Sequence, residues 1–220
     1  MKIASFNINN INRRLTNLLN WLREAEPDIV CLQELKAADT EFPADAIRQA
    51  GYYAVWRGEK RWNGVAILAQ WVPVVTRMNL PGDDGDRQCR YLEAAVNGVL
   101  IASIYAPNGN PQPGPKFDYK LAWLKRLNAH AAELYATGAP VVLAGDYNVV
   151  PTDLDIYPTK SWDRNALLQP ASRAGISGFS RKAGPTPFAR STPKSRCTRF
   201  GITCGTVGSA MAVCVLTTFC

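Results

Sequence analysis

The stretch Val141-Val142-Leu143-Ala144-Gly145-Asp146-Tyr147-Asn148 decides how this chain is interpreted. Its first four residues are apolar, and a short apolar run bounded by a turn signal is typical of a strand buried in a sheet. Gly145 then begins a polar turn that carries Asp146 and Asn148. A carboxylate that leaves an apolar strand is costly unless it is paired, solvated or bound to a metal. Ordinary turn chemistry explains such an aspartate about as often as function does, so both interpretations stay open here.

Strands and helices alternate outward from this stretch over residues 1–170, which predicts an α/β fold. Leucines at helical spacing predict a helix over Arg14–Glu26, and a second helix is predicted over Lys116–Tyr135. Besides Val141–Ala144, strands are predicted at Lys2–Asn7, Ile29–Leu32, Tyr52–Trp56, Gly64–Ala69, Val72–Met78, Tyr91–Val96 and Leu100–Tyr105.

The length and composition are those of a globular domain. The chain has 220 residues, of which 47% are apolar and 20% charged, and this argues against disorder. The sequence contains no run of about 18 apolar residues, so we expect no membrane-spanning helix. The segment Met1–Asn7 leads straight into a strand pattern without the apolar core of a secretory signal. We therefore expect a cytoplasmic protein with reduced cysteines and no membrane partner.

The net charge of +7 comes from the last fifty residues. Residues 171–220 carry seven basic side chains and no acidic one, and the other 18 basic side chains balance the 18 acidic ones. The periodic pattern also ends near Pro170 and returns only over the apolar segment Ala210–Phe219. The tail cysteines have wide, irregular gaps and no accompanying histidine, so we expect free thiols and no metal site. These cysteines are Cys197, Cys204, Cys214 and Cys220.

Polar residues follow several predicted strands, at the positions where open α/β sheets place their sites. They are Asn7, Glu34, Tyr105, Asp146 and Asn148. Glu34 and Asp146 would provide hard oxygen ligands for Mg²⁺, or one ligand and one base. The two asparagines would donate to anionic oxygens, and Tyr105 to a phosphate or an attacking water. Each residue alone also fits a turn, a cap or a half-buried aromatic, and their combination favours a site.

Six motifs stand in the order and rough spacing of the exonuclease III family, and the chain resembles that family over residues 1–174. The motifs are Ser5-Phe6-Asn7-Ile8-Asn9, Leu32-Gln33-Glu34, Asn63–Leu68, Tyr105–Gly109, Gly145–Asn148 and Pro151–Asp155. The family comprises exodeoxyribonuclease III and apurinic/apyrimidinic endonucleases. The resemblance implies a four-layer α/β sandwich, in which two mixed, mainly antiparallel sheets lie face to face with helices outside.

The resemblance also implies a DNA-repair phosphodiesterase that uses Mg²⁺, with Mn²⁺ as an alternative. Its partner would be double-stranded DNA with abasic sites or 3′ ends, and we expect a monomer. Glu34 and Asn7 match the metal-site residues of the family. Tyr105 matches a tyrosine near the scissile phosphate, and Asp146 matches the aspartate that orients or deprotonates the attacking water. Asn148 matches an asparagine that contacts the phosphate.

The sequence departs from the family pattern near its end. The family has an aspartate in a late Leu-Arg-Ile-Asp segment and a final Ser-Asp-His, and this chain has neither. The single histidine, His130, falls within the predicted helix Lys116–Tyr135, so we interpret it as a helix-surface residue.

A frameshift near Arg173–Ile176 is our hypothesis for this departure. When the tail is back-translated and read after dropping two bases, Lys182–Pro187 permits Gly-Trp-Thr-Asp-Ala. In the same shifted frame, residues 199–203 permit Thr-Phe-Trp-Asp-Tyr and Val213–Cys220 permits Leu-Arg-Ile-Asp-His-Leu-Leu. These pieces follow the order of the family's C-terminal half. A naturally divergent tail is the alternative.

We therefore divide the chain into a domain over residues 1–174 and an aberrant, poorly ordered tail over residues 175–220, which leaves the sandwich incomplete at its C-terminus. Catalytic groups that act as a unit fail together, so we expect this product to be nearly inactive and poorly folded. The apolar segment Ala210–Phe219 is an aggregation hazard. Two other functions stay open: a phosphodiesterase of the same fold that acts on another phosphate ester, and a DNA-binding remnant without catalysis.

Overall fold

The structure is a computed structural model that describes residues 1–156, 162, 164–182, 203–206 and 211–216. The helices in these ranges are α1 (Leu15–Ala25), α2 (Ala44–Gln49), α3 (Pro115–Ala136) and α4 (Pro170–Lys182), with 3₁₀ turns at Asp39–Glu41 and Asp153–Asp155. The strands are β1 (Lys2–Asn7), β2 (Ile29–Gln33), β3 (Tyr53–Arg57), β4 (Val65–Ala69), β5 (Val74–Arg77), β6 (Tyr91–Val96), β7 (Val99–Tyr105), β8 (Val141–Asp146), β9 (Thr203–Thr206) and β10 (Met211–Leu216).

The strands form two five-stranded sheets. The first has the order β3-β4-β2-β1-β9, in which β1 and β2 are parallel and the other described pairs are antiparallel. The second has the order β10-β8-β7-β6-β5, in which β7, β8 and β10 run parallel and the remaining pairs are antiparallel. Both sheets are thus mixed, and antiparallel pairs outnumber parallel ones.

The four layers follow from the alternation of side chains along the buried strands. In β2, Val30 packs in the apolar cluster that includes α1, whereas Cys31 packs in the cluster between the two sheets. In β8, Leu143 packs with α3 and Val142 faces the first sheet. Because both faces of these strands are covered, they are continuous apolar runs. The four-layer α/β sandwich implied by the resemblance is confirmed.

Local sequence explains where the long helices begin and end. Helix α1 is followed by Glu26, which has a φ of 44° and donates its backbone N–H to the Leu22 carbonyl oxygen, and then by Pro27. Such a left-handed residue closes the helix, and proline cannot continue it. Helix α3 begins at Pro115, whose missing N–H has no intrahelical role at that position.

Two helices were not predicted from the sequence. Helix α2 has six residues and buries only Ile47, which is too little for a periodic pattern. Helix α4 corrects the expectation that helical periodicity ends near Pro170. It is rich in glycine and serine, and it packs on α3: the Asn128 side-chain amide donates to the Gly175 carbonyl oxygen at 2.5 Å. A Cβ on Gly175 would lie 2.8 Å from Leu124, so the small residue permits this close packing.

The interpretation of His130 as a surface residue is wrong. Its side chain is 3% exposed, and its Nε2 lies 2.9 Å from Oε2 of Glu93 on β6. The Glu93 carboxylate also accepts hydrogen bonds from Tyr91 at 2.6 Å and from Thr76 at 2.7 Å. Helix α3 covers the second sheet, so the helix face that carries His130 points at a buried carboxylate. The periodicity of α3 assigns His130 to a helix face, but it does not show that this face meets an acidic residue on β6.

Part of the predicted tail contributes backbone to both sheets. Strand β9 pairs antiparallel with β1, and β10, which lies within the apolar segment Ala210–Phe219, pairs parallel with β8. Cys197 and Cys220 lie outside the described residues, so the absence of a metal site in the tail stays a prediction. The division at residue 174 also stays a prediction. Within the described ranges, no helix is long and apolar enough to cross a membrane.

Candidate active site

The predicted site residues lie at the carboxyl ends of four strands. Asn7 ends β1 and Glu34 directly follows β2, and these strands are parallel with Asn7 opposite Gln33. In the second sheet Tyr105 ends β7 and lies opposite Asp146, which ends the parallel strand β8. Since the sheets pack face to face, these strand ends meet at one edge of the sandwich.

The side-chain amide of Asn7 joins the two sheets at this edge. Its Nδ2 donates to Oε1 of Glu34 at 2.9 Å and to Oδ2 of Asp146 at 3.1 Å. Its Oδ1 accepts the backbone N–H of Asn9 at 3.2 Å, which fixes the orientation of the amide. One nitrogen therefore holds two carboxylates that are more than a hundred residues apart in sequence. The structure brings the side chains of Asn7, Glu34 and Asp146 together in a single cluster.

Glu34 is surrounded by donors. Its Oε1 also accepts the hydroxyl of Tyr105 at 2.8 Å, and its Oε2 lies 2.7 Å from the ammonium of Lys36. Burial raises the pKa of Glu34, but the hydrogen bonds from Asn7, Lys36 and Tyr105 outweigh burial and leave the pKa below its ordinary value. Glu34 is therefore a carboxylate at neutral pH.

Tyr105 is held as a hydrogen-bond donor. Burial, together with the neighbouring Glu34 carboxylate, raises the pKa of Tyr105 well above its ordinary value, so the phenol keeps its proton. The guanidinium of Arg90 lies over the ring, 4.9 Å from its centroid, and its Nη1 donates to the Tyr105 carbonyl oxygen at 3.3 Å. Ring and backbone of Tyr105 are thus fixed by a single side chain.

Asp146 is the most buried of the predicted residues, at 3% exposure. Burial raises its pKa from 3.8 to about 6, although the Asn148 backbone N–H and the Asn7 amide act in the opposite direction. The Asn148 N–H donates to Oδ1 at 2.9 Å, which closes the polar turn. Gly145 is required by close packing, because a Cβ there would lie 1.9 Å from the Ile104 carbonyl oxygen.

Asn148 lies in the same turn and is tied to the segment after β7. It has a φ of 50°, and its Nδ2 donates to the Ala106 carbonyl oxygen at 2.8 Å. Its Oδ1 accepts the side-chain amide of Asn108 at 3.3 Å. Sequence reasoning missed three residues that contact the candidate site. Asn108 lies within a motif and Lys36 lies beside one, so their positions could have indicated them. Nothing in the sequence around Arg90 indicates that it contacts Tyr105.

The donor set suits a hard divalent cation. Two carboxylates share one amide, and the Glu34 charge adds to the burial that raises the pKa of Asp146. Mg²⁺ is usually held by one or two carboxylates and completes its shell with water and substrate oxygens. Among the described residues, no group of three or more histidines, cysteines or acids could hold a metal ion. Glu34 and Asn7, with the Asp146 carboxylate beside them, fit such a Mg²⁺ site.

A cavity of about 720 Å³ lies away from these residues, between α1 and α2, and it is lined by Leu22, Arg23, Ala46 and Tyr52 among others. None of the five predicted site residues lines it. Because it has no paired carboxylates, we place the chemistry at the strand ends and not in this cavity.

Known proteins resemble this chain over most of its length. A profile of the Endonuclease/Exonuclease/phosphatase family matches residues 4–203. Exodeoxyribonuclease III of Haemophilus influenzae is 34% identical over 205 residues, which cover 84% of this chain and 77% of that protein. An AP endonuclease from Archaeoglobus fulgidus has a TM-score of 0.76 at 31% identity, covering 81% of this chain and 69% of that one.

A third similar protein is the 3′ phosphatase NExo from Neisseria, solved with a product DNA hairpin. Its TM-score is 0.78 at 35% identity, covering 83% of this chain and 71% of that one. The chain belongs to the Endonuclease/Exonuclease/phosphatase family. Its relatives there are exodeoxyribonuclease III and AP endonucleases, as the six motifs predict, which makes it a hydrolase of the exonuclease III group.

Proposed function

We propose that this chain is a Mg²⁺-dependent DNA-repair phosphodiesterase, with Mn²⁺ as an alternative ion. Its substrate is double-stranded DNA with abasic sites or 3′ ends. The observation that carries the proposal is the Asn7 amide, which binds Glu34 and Asp146 at 2.9 and 3.1 Å. The relatives support it, because their names describe DNA nucleases and one was solved with DNA.

Asp146 and Tyr105 have complementary roles in this proposal. Asp146 orients the attacking water and accepts its proton, and a pKa near 6 lets the carboxylate predominate at neutral pH. Tyr105 donates its hydroxyl proton in a hydrogen bond to the phosphate, and its raised pKa keeps that proton in place. Asn148 donates through its amide to a second phosphate oxygen. Donors placed in advance stabilise the charge that develops in the transition state.

Glu34 and Asn7 are the residues that would hold the metal ion. When bound, the ion supplies positive charge to the non-bridging phosphate oxygens. The Lys36 ammonium lies 2.7 Å from Oε2 of Glu34 and compensates part of the charge of that carboxylate. Lys36 is itself fixed by Asn9, whose Oδ1 accepts from its Nζ at 2.6 Å.

An exposed tryptophan beside the site supports a nucleic-acid substrate. Trp62 is 69% exposed and stands next to Lys60 and Arg61. The loop is anchored at the site, because the Lys36 backbone N–H donates to the Asn63 carbonyl oxygen at 3.0 Å. Aromatic rings among cations commonly stack on bases or contact the phosphate backbone. A monomer in the cytoplasm completes the proposal and stays a prediction.

The missing late motifs imply lower activity than in the relatives. We propose that this chain is impaired because no late aspartate and no Asp-His pair complete the site. The nucleotide sequence around codons 170–180 tests the cause. An alternative frame that encodes the family motifs is expected there, and its absence would show that the frameshift hypothesis is wrong.

Cleavage of a labelled duplex with one abasic site tests the function. Incision is expected to depend on Mg²⁺, to stop with a chelator, and to fall to background in Glu34→Gln and Asp146→Asn. A duplex with a 3′-phosphate serves as the second substrate, since one relative is a 3′ phosphatase solved with a DNA hairpin.

The rival functions give different results in parallel assays. Hydrolysis of bis-p-nitrophenyl phosphate without DNA cleavage would favour another phosphate ester. Binding to the duplex that needs no metal, weakens steeply with salt and never leads to cleavage would favour a DNA-binding remnant.

A further inference from the structure

Lys120 is a buried lysine next to the candidate active site. It lies on α3 with 0% exposure, a condition that lysines almost never show without partners. Its ammonium donates to the main-chain oxygen of Asn108 at 3.1 Å and to that of Asn148. Burial lowers the pKa of Lys120 to about 7, and the Asp146 carboxylate acts in the opposite direction.

The two carbonyl groups belong to the segments that follow β7 and β8. Neither segment is part of a sheet at these residues, so the ladder does not satisfy their backbone oxygens. A buried carbonyl without a donor costs free energy, and one ammonium here provides donors for both. Lys120 is thus a cross-link between the segments that carry Asn108 and Asn148.

Asn148 connects this cross-link to the carboxylate. Its backbone N–H donates to Asp146 Oδ1 at 2.9 Å, and its side chain bonds to Ala106 and Asn108. A residue with a φ of 50° is held there by its surroundings, because this region is unfavourable for most side chains. A shift of the Asn148 carbonyl would therefore also move the groups that face the phosphate and Asp146.

The aliphatic part of the Lys120 side chain packs closely against Gly109. A Cβ on Gly109 would lie 2.6 Å from Cδ of Lys120, and Gly109 has a φ of +87°. The chain therefore passes close to the lysine only because this residue is glycine. Both ends of the side chain, the methylenes and the ammonium, are fixed by the segment that carries Asn108.

We propose that Lys120 is a positioning residue of the reaction. By binding the main-chain oxygens of Asn148 and Asn108, Lys120 holds these two residues in a fixed position relative to Asp146. This inference rests on the proposed function, since it deepens the account of the same site. The Lys120 ammonium is buried against the two main-chain oxygens. It acts through Asn148, so its removal changes the rate of the chemical step more than the binding of DNA.

A double-mutant cycle tests the proposal. Lys120→Met removes the charge and donors at similar length, and Lys125→Met is the matched control on the exposed face of the same helix. Loss of supporting partners of this kind typically costs roughly 10- to 100-fold in activity. We expect a fall of that size in kcat for abasic-site incision, with little change in KM. Combined with Asn148→Ala, the total loss should be clearly smaller than the product of the two single losses.

Two outcomes would overturn the proposal. One is a kcat per folded molecule equal to that of Lys125→Met, with only a lower Tm, which is the result of a purely structural lysine. The other is multiplication of the effects of Lys120→Met and Asn148→Ala. If Lys120→Met does not fold, Lys120→Arg replaces it: a displaced donor should lower kcat at constant KM, and an unchanged kcat contradicts the proposal.

A spectroscopic readout separates this proposal from the proposed function. In the metal-free protein, Lys120→Met should shift the side-chain amide resonances of Asn108 and Asn148, and Lys125→Met should leave them in place. If the parent chain cleaves no phosphate ester, the proposed function fails, and these resonances still decide whether Lys120 positions the segments. Unshifted resonances would show that it does not.

Discussion

Asp146→Asn should stabilise the metal-free protein at neutral pH while abolishing its activity. Burial raises the pKa of Asp146 from 3.8 to about 6. The folded state then binds this proton more tightly than the unfolded state. The contribution of Asp146 to the free energy of unfolding is therefore fully present below about pH 4 and is lost as the pH rises through about 6. Two pKa units correspond to about 3 kcal/mol at pH 7.

Asp146→Asn avoids this loss of stability at neutral pH, because the side-chain amide is neutral at every pH. Its Oδ1 can still accept the Asn148 N–H, but its Nδ2 faces the Asn7 amide, and this lost hydrogen bond costs about 1 kcal/mol. The expected net gain at pH 7 is about 2 kcal/mol. For a chain of this length that corresponds to a Tm higher by about 4–8 °C.

Thermal unfolding with a chelator between pH 4 and pH 8 measures this difference. Asp146→Asn should have the higher Tm at pH 7 and no advantage at pH 4, while the exposed Asp84→Asn serves as the control. Incision should fall at least about 100-fold, since a general base typically contributes that much. A Tm difference that is negative at pH 7, or that does not change with pH, would refute the reasoning.

Three further substitutions test other parts of the site and the core. Glu34→Gln should weaken Mg²⁺ binding at least about tenfold in calorimetry, because one ionised ligand is lost; equal affinity would contradict its role. Tyr105→Phe should lower kcat by about 100-fold, and the parent rate should not decline from tyrosine ionisation up to about pH 10, since the pKa of Tyr105 is raised. His130→Ala should cost about 3 kcal/mol in urea unfolding, because the buried Glu93 carboxylate loses a partner, with kcat per folded molecule unchanged. A large kcat effect would show that this buried pair influences the site.

Local signals in the sequence predict most of the strands and the two long helices, whereas the four-layer sandwich is implied by the resemblance to the exonuclease III family. Apolar runs such as Val141–Ala144 are strands buried on both faces, and the leucine spacing of α1 marks its packed side. The candidate site residues end or directly follow strands, so their positions in the sequence already predict that Asn7, Glu34 and Asp146 lie at one edge. Helix α4 was not predicted, because its sequence has no clear apolar periodicity and the helix is stabilised by packing on α3.

The contacts that tune the site are long-range and leave no pattern in the sequence. Lys120 and Arg90 act through carbonyl oxygens and an aromatic ring on other segments. His130 pairs with Glu93 on a strand 37 residues away. Helical periodicity assigns a residue to a face, but it does not identify the polar group that the opposite layer presents to that face.

Paramagnetic broadening by Mn²⁺ tests the central claim most directly. If Asn7, Glu34 and Asp146 surround one cation site, amide resonances of all three residues should broaden together as Mn²⁺ is added, and Mg²⁺ in excess should reverse the effect. The result does not depend on the rate of cleavage. Broadening of only one of these residues, or of none at concentrations that affect other acidic surfaces, would contradict a shared metal site.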